Sequence, residues 1–293
     1  MERRRLGRSD LQVTRLALGS WRTFERLPRE RGAEVMRAAR EAGIAFLDDA
    51  RYNDETGTAP IPTGYSEIVF GELFRAAGWV RDEVVVANKL WWEFWPEQSA
   101  QREIDGSLAR MGLDHIDLLY AERLPDGLSV PDAARAVAAL VSAGKARAWG
   151  LLNWPAARIA EAAAFAAAEG LPGPCAAQLP YSLVRRSPVE DPDVVSALRD
   201  GGVSVVASAV MEGGALTGRN ALRDDRATGE MRREGARVRE LAGELGVPAA
   251  ALAIAFALAN PDVASVLFGA SRPDQIAENV AALDVTAEQL ARL

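Results

Sequence analysis

Several titratable side chains stand where apolar runs of the sequence end. Asp48 and Asp49 close the run IAFL and Tyr52 follows, while Lys89 closes VVVAN and Glu122 closes IDLLYA. The ordinary pKa of tyrosine is about 10, so a phenol donates a proton near neutral pH more easily when an adjacent ammonium, itself held by a carboxylate, stabilises the phenolate. An Asp-Lys-Tyr cluster therefore suits proton transfer. Taken singly, each residue is more simply explained as a solvated loop residue or one half of an ion pair.

These residues can meet only if the fold brings the ends of several strands together. Apolar, β-branched runs recur along the chain, and each is followed by a segment with helical spacing. The eight runs are TRLALG, IAFLDDA, EVVVANK, IDLLYAE, ARAWGLLN, CAAQLPYS, VSVVASAV and SVLFGA. Eight strand-helix units of this kind predict an α/β fold, a (β/α)8 TIM barrel, because parallel strands alternate with helices. No GxGxxG motif follows the first run, which argues against a doubly wound sheet.

Three further segments refine this prediction. No low-complexity linker interrupts the series, so residues 1–293 are predicted to form one domain. The segment RRRLGRSDLQVTR predicts a β-hairpin before the first barrel strand, lying over one end of the barrel, and PAAALAIAFALANP predicts an extra buried helix between units seven and eight. The loop RYNDETGTAPIPTG and the aromatic cluster LWWEFWPE follow strands two and three, so both should lie at the C-terminal end of the barrel, where active sites of this fold are found.

Charge and composition exclude several classes of function. The net charge of −7 provides no broad cationic surface, so nucleic acid and anionic membranes are poor candidates as partners and a small molecule is expected instead. MERRR is not followed by an apolar signal-peptide core, and no apolar stretch approaches the roughly 18 residues of a membrane span, so we predict a cytoplasmic protein. A single cysteine and a single histidine exclude an internal disulfide and make a His-based triad or a zinc site hard to build, so no metal is predicted.

A series of short motifs resembles the aldo-keto reductase superfamily, in the right order and at the right spacing. The matching segments are FLDDARYN with YSEIVFGELF, VVVANK, ARMGLDHIDLL, GLLNW, QLPY, AVMEGGALTG and VLFGASRPDQIAEN. The segment AERLPD, which has A-x-R before P-D, is most similar to the branch that contains the potassium-channel β subunits. The resemblance implies a (β/α)8 barrel that binds NADPH and acts as an oxidoreductase.

By this resemblance, four residues occupy the catalytic positions. Asp48, Tyr52 and Lys89 match three of them, with Tyr52 as proton donor, and Glu122 stands where the family usually has histidine. An ionised Glu122 would repel a developing oxyanion, whereas a protonated Glu122 in a dry pocket would donate a hydrogen bond. Members of the superfamily that reduce a C=C bond conjugated to a ketone carry glutamate here, so ene-type or imine-type reduction stands beside carbonyl reduction. Arg123 would keep Glu122 charged if the two formed a salt bridge.

The sequence also departs from the family pattern. Tyr52 stands four residues after Asp48 instead of five, which makes Tyr65 an alternative proton donor. Ser208 occupies the place of the aromatic residue that usually stacks on the nicotinamide, and Leu152 replaces a serine that helps to hold the carboxamide. The only histidine, His115, precedes a strand and is expected at the opposite end of the barrel, with a structural role.

The adenosine end of the cofactor site matches the family more closely. Gly269, Ser271 and Arg272 precede a helix that Pro273 would start, and the free N–H groups of a helix N-terminus bind phosphate. Arg272 suits a 2′-phosphate, so NADPH is favoured over NADH. The positions that the resemblance assigns to the cofactor are Ser20, Trp21, Asn153, Gln178, Ser208, Met211, Gly213, Gly214, Leu216, Gly269, Ser271, Arg272, Gln275, Glu278 and Asn279.

Five aromatic residues are expected at the same end of the barrel, namely Trp21, Trp91, Trp92, Phe94 and Trp95. They form either a small satellite core or an apolar wall for the substrate. The sequence therefore predicts an NADPH-dependent oxidoreductase that acts on an apolar carbonyl, conjugated C=C bond or imine. Two alternatives remain: a low-turnover NADP(H)-binding subunit with a redox-sensing or scaffold role, and a barrel that no longer binds the nucleotide. The sequence leaves the oligomeric state open.

Overall fold

Eight parallel strands close into a barrel in the computed structural model of the chain, which describes residues 1–55, 57–218 and 228–293. The barrel strands are β3 (Leu16–Gly19), β4 (Phe46–Asp48), β5 (Val85–Leu90), β6 (Ile116–Ala121), β7 (Ala146–Leu152), β8 (Pro174–Pro180), β9 (Ser204–Ser208) and β10 (Val263–Gly269); they follow β1 (Arg3–Arg5) and β2 (Gln12–Thr14). Each barrel strand pairs with the next one along the chain, and β10 closes the ring on β3. The predicted TIM barrel is confirmed, and each predicted apolar run overlaps one barrel strand.

Helices cover the outside of the barrel. They are α1 (Arg29–Glu41), α2 (Tyr65–Ala76), α3 (Ala100–Met111), α4 (Val130–Ser142), α5 (Ala156–Ala168), α6 (Ser187–Glu190), α7 (Pro192–Gly201), α8 (Gly229–Leu245), α9 (Ala249–Ala259), α10 (Pro273–Val280) and α11 (Ala287–Leu290). The extra helix predicted between units seven and eight is α9, which is apolar on all sides and buried over most of its length. Among the described residues, no single helix is long and apolar enough to span a membrane; α8 and α9 meet that test only as a pair, which is bent by 102°.

The predicted hairpin, β1 paired with β2, lies at the N-terminal end of the barrel, which we call the floor. Leu6, Leu11 and Val13 of the hairpin segment belong to the same buried cluster as the side chains inside the barrel. Gly7 has a φ of 49°, and a Cβ there would collide with the backbone carbonyls of Cys175 and Gly202. Only glycine therefore lets the hairpin approach the barrel this closely.

Side-chain alternation along the strands decides which residues line the opposite, C-terminal end, which we call the mouth. In β5, Val86 packs towards the helices, whereas Ala87 belongs to the interior cluster. Lys89 comes two residues later and continues the inward-facing series, because strand side chains alternate between faces. In β6, Tyr120 lies in the interior cluster, so Glu122 continues its series at the mouth.

Helix α3 begins and ends at well-defined signals and carries a buried carboxylate towards the mouth. The Ser99 hydroxyl accepts a hydrogen bond from the Arg102 backbone N–H at 3.2 Å, which caps the first turn. Gly112, with a φ of 68°, ends the helix in the left-handed conformation that glycine adopts without strain. Glu103 lies on the buried face of the helix, so α3 brings a carboxylate against the loop that follows β5.

Candidate active site

An ammonium and a carboxylate are buried together at the mouth. The Lys89 ammonium donates hydrogen bonds to Asp48 Oδ1 and, at 2.8 Å, to the backbone carbonyl of Asp49. The second oxygen of Asp48 accepts a hydrogen bond from Gln178 Nε2 at 2.8 Å. Asp48, Lys89 and Gln178 are each 4 % exposed, so this charged group is shielded from bulk water. Three separate strands, β4, β5 and β8, therefore meet at one polar point inside an apolar barrel.

Tyr120 lies beside this pair and was not anticipated as a site residue. Lys89 Nζ is 5.5 Å from the centre of the Tyr120 ring, within the range of a cation–π interaction. Burial raises the pKa of Tyr120 well above its ordinary value, and the negative charge of Asp48 raises it further. A Cβ on Gly150, the strand neighbour of Tyr120, would lie 3.0 Å from the ring and 2.5 Å from the Ala176 carbonyl. Glycine at position 150 therefore makes room for the Tyr120 ring. The only sequence signal for Tyr120 was strand alternation, because it stands two positions before Glu122.

Glu122 lies directly after β6, half-buried at the mouth, and its backbone N–H donates to the Leu90 carbonyl at 3.0 Å. Burial raises the pKa of its carboxyl, while the Arg123 N–H and the charges of Arg123 and Lys89 act in the opposite direction. Glu122 Oε1 accepts the Arg123 backbone N–H at 2.9 Å. Within the described residues no salt bridge joins the side chains of Glu122 and Arg123, so the bond to Arg123 is made by the backbone. The environment thus favours the protonated acid more than an exposed site would.

The hydroxyl of Tyr52 lies in a different group of contacts. It accepts a hydrogen bond from the Arg22 backbone N–H at 3.0 Å. Burial raises the pKa of Tyr52 strongly, and the negative charge of Glu25 raises it further; the Arg22 N–H acts in the opposite direction. In the part of the chain that the structure describes, Tyr52 and Lys89 share no hydrogen bond. The structure thus brings Asp48 and Lys89 into contact, whereas the Tyr52 phenol oxygen is bound by the Arg22 backbone N–H.

The alternative donor, Tyr65, begins α2 on the outside of the barrel. Its hydroxyl accepts a hydrogen bond from Arg29 Nη2 at 2.8 Å, and the Arg29 guanidinium lies 5.4 Å from the centre of its ring. Tyr65 therefore joins α1 to α2. Among the hydrogen bonds of the described residues, none joins Tyr65 to the Lys89–Asp48 pair.

Asp49 is a second carboxyl at the end of β4, but it takes part in a separate contact. The Ser20 hydroxyl donates to Asp49 Oδ1, and burial, with some help from the charge of Glu67, raises the pKa of Asp49 to about 8. Ser20 also donates its backbone N–H to the Asp48 carbonyl at 3.0 Å. The Ser20 side chain, one of the predicted cofactor contacts, is thus buried and engaged by Asp49. Trp21 follows it and is 51 % exposed at the rim.

The aromatic cluster after β5 divides into two parts. Glu103 accepts the backbone N–H groups of Trp91 at 2.6 Å and of Trp92 at 3.1 Å, and so holds the loop. Trp92 is buried and packs edge-on against Trp95, with ring centres 6.5 Å apart. Phe94 is 45 % exposed, as is much of Trp21. Part of the cluster therefore forms a satellite core, and part remains available as an apolar wall.

A buried cation also braces the loop that the Glu103 carboxylate holds. Arg51 is 4 % exposed and forms ion pairs with Glu103 at 3.3 Å and with Glu93 at 2.7 Å. Burial raises the pKa of Glu103, and the Arg51 charge opposes that rise. This bracing of the loop was not predicted, since Arg51 and Glu103 are far apart in the sequence.

The residues predicted to contact the nicotinamide and pyrophosphate follow β7, β8 and β9. Asn153 is exposed in a left-handed conformation with a φ of 59°, and its backbone N–H donates to the Gln178 carbonyl at 3.1 Å. Gly213 and Gly214, with φ values of 63° and 96°, form a turn after β9 that other residues would adopt only with strain. The Glu212 carboxylate accepts hydrogen bonds from the Ser182 hydroxyl and from the Arg185 guanidinium, and these bonds fix the turn. Ser208 and Met211 are half-buried here, and Leu216 is buried.

The residues predicted to bind the adenosine end lie around the N-terminus of α10. Gln275 Oε1 accepts the backbone N–H groups of Ser271 at 2.7 Å and of Arg272 at 3.2 Å. The exposed Arg272 guanidinium pairs with Asp274 at 2.9 Å, so a phosphate would compete with Asp274 for it. Gly269 ends β10 and is exposed, whereas Asn279 is buried and Glu278 half-buried on α10. A side-chain amide at the mouth and a cation at a helix N-terminus form a donor set that fits NADPH.

His115 lies at the floor, as predicted. Its Nε2 atom is 4.0 Å from Asp117 Oδ1, far from the mouth. Burial lowers the pKa of His115, and the charge of Arg81 lowers it further. The only histidine is therefore placed among structural contacts at the end of the barrel opposite the candidate site.

Comparison with known proteins agrees with this architecture. The family model described as "Aldo/keto reductase family" matches residues 15–293. The chain therefore belongs to the aldo/keto reductase family, whose members are generally NADPH-dependent oxidoreductases. It is 31% identical to a protein of Oryza sativa subsp. japonica named "Probable voltage-gated potassium channel subunit beta", over 97% of this chain and 92% of that protein. A protein of Arabidopsis thaliana with the same name is 29% identical over the same shares of the two chains.

Proposed function

We propose that this protein is an NADPH-dependent oxidoreductase that delivers hydride to an apolar carbonyl, conjugated C=C bond or imine in the cytoplasm. The observation that carries the proposal is the buried Lys89–Asp48 pair at the mouth, with Glu122 on the inward-facing series of the neighbouring strand β6. A buried charge pair is expensive to desolvate, and its placement at the mouth of this fold supports a functional role.

The cofactor would supply the hydride, and the chain would supply binding, orientation and the proton. Asn153 and Gln178 would hold the carboxamide, and Arg272 would exchange Asp274 for a phosphate. Tyr52 is proposed as the group that gives a proton to the substrate. Trp21 and the exposed part of the aromatic loop would exclude water from one side of the acceptor.

Glu122 is the residue proposed to select the acceptor. In the protonated form that burial favours, its carboxylic acid can donate a hydrogen bond to the oxygen of an enone, as other buried carboxylic acids do. An ionised Glu122 would repel the negative charge that develops on that oxygen. The activity on conjugated acceptors should therefore decline as the pH rises and Glu122 loses its proton.

The direct test is consumption of NADPH by the purified protein with a panel of aldehydes, ketones, enones and cyclic imines. We expect turnover with at least one class of apolar acceptor, and a loss of about 10²-fold or more in Lys89→Met. A matched control is Lys145→Met, since Lys145 pairs with Asp105 on the protein surface at 2.9 Å and lies outside the site. An absence of NADPH oxidation across the whole panel would contradict the proposal.

A second test addresses the acceptor. Exchanging Glu122 for histidine restores the usual family residue, so Glu122→His should shift the ratio of ketone to enone turnover towards the ketone. Arg123→Gln is the control, because it removes the adjacent charge and leaves the carboxyl in place. An unchanged ratio in Glu122→His would show that Glu122 does not select the acceptor.

A second function is favoured by the names of the two plant relatives. A low-turnover NADP(H)-binding subunit, with a redox-sensing or scaffold role, would hold the nucleotide tightly and release it slowly. Single-turnover oxidation of bound NADPH separates the two functions: multiple turnovers with an acceptor favour the enzyme, and one slow oxidation per bound nucleotide favours the subunit. A third alternative is a barrel that no longer binds the nucleotide, and fluorescence titration with NADPH tests it. Failure to bind NADPH would contradict both the enzyme and the NADP(H)-binding subunit.

A further inference from the structure

The Lys89 ammonium has more donors than hydrogen-bond partners. An ammonium carries three N–H groups. Two of them are given to Asp48 Oδ1 and to the Asp49 carbonyl, the second at 2.8 Å. Among the hydrogen bonds of the described residues, none uses the third. The ammonium also lies over the face of the Tyr120 ring, whose centre is 5.5 Å from Nζ, so the ring face is available to it.

Strand register places the two side chains next to each other. Lys89 of β5 lies opposite Tyr120 of β6. Tyr120 in turn lies opposite Gly150 of β7, where a Cβ would come within 3.0 Å of the ring. Residues in register on neighbouring strands point their side chains to the same face of a sheet. The row thus consists of a cation, an aromatic ring and a residue without a side chain, and the ring has the space to lie beside the ammonium.

The ring of Tyr120, and not its hydroxyl, makes this contact. The side chain is completely buried, and no residue in the described part of the chain forms a hydrogen bond with its hydroxyl. Burial and the charge of Asp48 both raise the pKa of Tyr120 well above its ordinary value, so the phenol stays neutral. A cation is attracted to the electron-rich face of a neutral ring, and this attraction is strongest where water is excluded.

We propose that the Tyr120 ring positions Lys89, because its face holds the ammonium in contact with Asp48 and so fixes the positive charge at the mouth. This role rests on the proposed function, in which Lys89 serves the reaction. Without the ring, an ammonium at the end of a flexible four-carbon stem would be free to turn away from its two oxygen partners. Tyr120 belongs to the interior cluster and acts through Lys89, so it is a positioning residue.

A packing role for the ring is the alternative, and the interior cluster provides a control for it. Phe46 belongs to the same cluster and is also completely buried. Tyr120→Leu and Phe46→Leu each remove one buried ring from this cluster. Among the ring contacts of the described residues, the ammonium lies over Tyr120 and not over Phe46. The two variants therefore share the loss of packing and differ in the loss of the ring beside the cation.

The sharpest test changes the charge distribution of the ring and keeps its size. Tyr120→Phe removes only the hydroxyl and should retain the wild-type kcat. Phenylalanines with one, two or three ring fluorines can then be incorporated at position 120. Fluorine withdraws electron density from the ring face, which weakens its attraction for a cation. We expect kcat with NADPH and an acceptor to fall stepwise to about a tenth of the Tyr120→Phe value, with little change in KM.

A second readout needs neither cofactor nor acceptor. The chain has two lysines, Lys89 and Lys145, so protein made with isotope-labelled lysine gives two sets of side-chain NMR signals, and Lys145→Met assigns them. Protons that lie over the face of an aromatic ring resonate upfield. The ε-methylene signal of Lys89 should therefore lie upfield in wild type and in Tyr120→Phe, and should lose this shift in Tyr120→Leu. Phe46→Leu should leave the signal in place.

The outcomes separate this inference from the proposed function. Absence of NADPH oxidation with every acceptor, or full turnover in Lys89→Met, would overturn the role of Lys89 and that of Tyr120 with it. An active wild type and an inactive Lys89→Met, together with a constant kcat along the fluorinated series, would show that only the positioning role is wrong.

Two further results would overturn the positioning role. A Lys89 signal at the same place in wild type and Tyr120→Leu would show that the ring does not lie over the ammonium. Equal losses of kcat in Tyr120→Leu and Phe46→Leu would show that the ring contributes packing alone. If Tyr120→Leu does not fold, the fluorinated series decides the question, because its rings keep the size of phenylalanine.

Discussion

Both ends of the barrel bury an aspartate against cations, yet the two groups differ in what surrounds them. At the mouth, Asp48 pairs with Lys89, and the two side chains are 6 % and 5 % exposed. At the floor, Asp117 is 1 % exposed, and its partners are the guanidinium groups of Arg81 at 2.7 Å and Arg147 at 2.8 Å. The Arg147 side chain is 54 % exposed. At the floor, therefore, the buried carboxylate is paired with a guanidinium that reaches solvent. At the mouth, both the ammonium and the carboxylate are buried.

The difference shows why burial of a carboxylate does not by itself define a site. Asp117 Oδ2 also accepts the Val86 backbone N–H at 2.8 Å, so this side chain ties the starts of β5 and β6 to each other. Guanidinium groups remain charged at any physiological pH, whereas an ammonium can exchange protons. The group at the floor is therefore suited to holding strands together, whereas the ammonium at the mouth can also take part in proton transfer.

The largest effect should come from breaking the mouth pair. Lys89→Met leaves the Asp48 carboxylate buried with Gln178 as its remaining partner. We expect the free energy of unfolding to fall by about 3–5 kcal/mol, as for other broken buried pairs. Urea denaturation measures the change.

The double variant Asp48→Asn/Lys89→Met is the control for this prediction. It removes both charges, so most of the stability should return because no uncompensated charge is left inside the barrel. Turnover should stay low, since the ammonium is still missing. Recovery of turnover together with stability would mean that the pair is structural, like the one at the floor.

Breaking the floor group should affect stability without affecting chemistry. Asp117→Asn removes the charge that Arg81 and Arg147 share, but both guanidinium groups can turn to water. The expected loss is about 1.5–3 kcal/mol of unfolding free energy, the usual worth of hydrogen bonds to a charged group. Turnover per folded molecule should stay within about twofold of wild type, given the distance from the mouth. A large loss of turnover in this variant would erase the contrast between the two ends.

A smaller effect is expected from Gly150→Ala, which changes the packing around Tyr120, beside the Lys89–Asp48 pair. The added methyl group would press on the Tyr120 ring and the Ala176 carbonyl, and so shift the ring that lies beside Lys89. Overpacking of this kind costs about 1–3 kcal/mol. Turnover should fall as well, whereas a matched Gly144→Ala, at a surface turn with open space around the glycine, should lower stability only through its positive φ. Retention of full turnover in Gly150→Ala would show that the Tyr120 ring does not help to position Lys89.

Per pH unit, the smallest effect on stability should come from the titration of Asp49 at the mouth. Asp49 has a pKa of about 8 in the folded protein, whereas the unfolded chain has the ordinary value near 4. Between these values the folded state holds a proton that the unfolded state lacks, so the contribution of Asp49 to stability falls as the pH rises from about 4 to about 8. Asp49→Asn does not titrate, and its stability relative to wild type should increase over this window by at most about 1.4 kcal/mol per pH unit.

Urea unfolding of wild type and Asp49→Asn at several pH values measures this difference. A gap in stability that stays constant between about pH 5 and about pH 8 would mean that Asp49 is ionised in the folded protein. Ser20→Ala is a useful comparison, because it removes the hydroxyl that lowers the pKa of Asp49 and should widen the pH dependence.

The fold could be predicted from the sequence because its signals are local and repeated. The eight apolar runs, the polar helical segments between them and the hairpin signal around Gly7 each depend on neighbouring residues, and the structure places strands, helices and hairpin accordingly. The positions of Asp48 and Lys89 at strand ends followed from the same periodicity. His115, at the start of a strand, was placed at the floor by the same reasoning.

Contacts between loops could not be predicted in this way. The sequence indicated that Tyr52 follows β4, but its hydrogen-bond partners depend on how the β3–α1 loop folds over it. Arg22, whose backbone N–H donates to the Tyr52 oxygen, lies 30 positions earlier in the chain, at a spacing that no periodic pattern predicts. The same holds for Arg51, in the loop after β4, and Glu103, on α3, which meet to hold the aromatic segment.

The sequence by itself determined the barrel, the end of it at which polar residues gather, and the family to which the chain belongs, because alternation and strand order require only local information. Tertiary structure alone decided that Lys89 is bonded to Asp48 and that the Tyr52 phenol oxygen is bonded to the Arg22 backbone N–H. Hydrogen bonds act over about 3 Å, so a shift of one loop by a single residue exchanges one partner for another while leaving every strand in place.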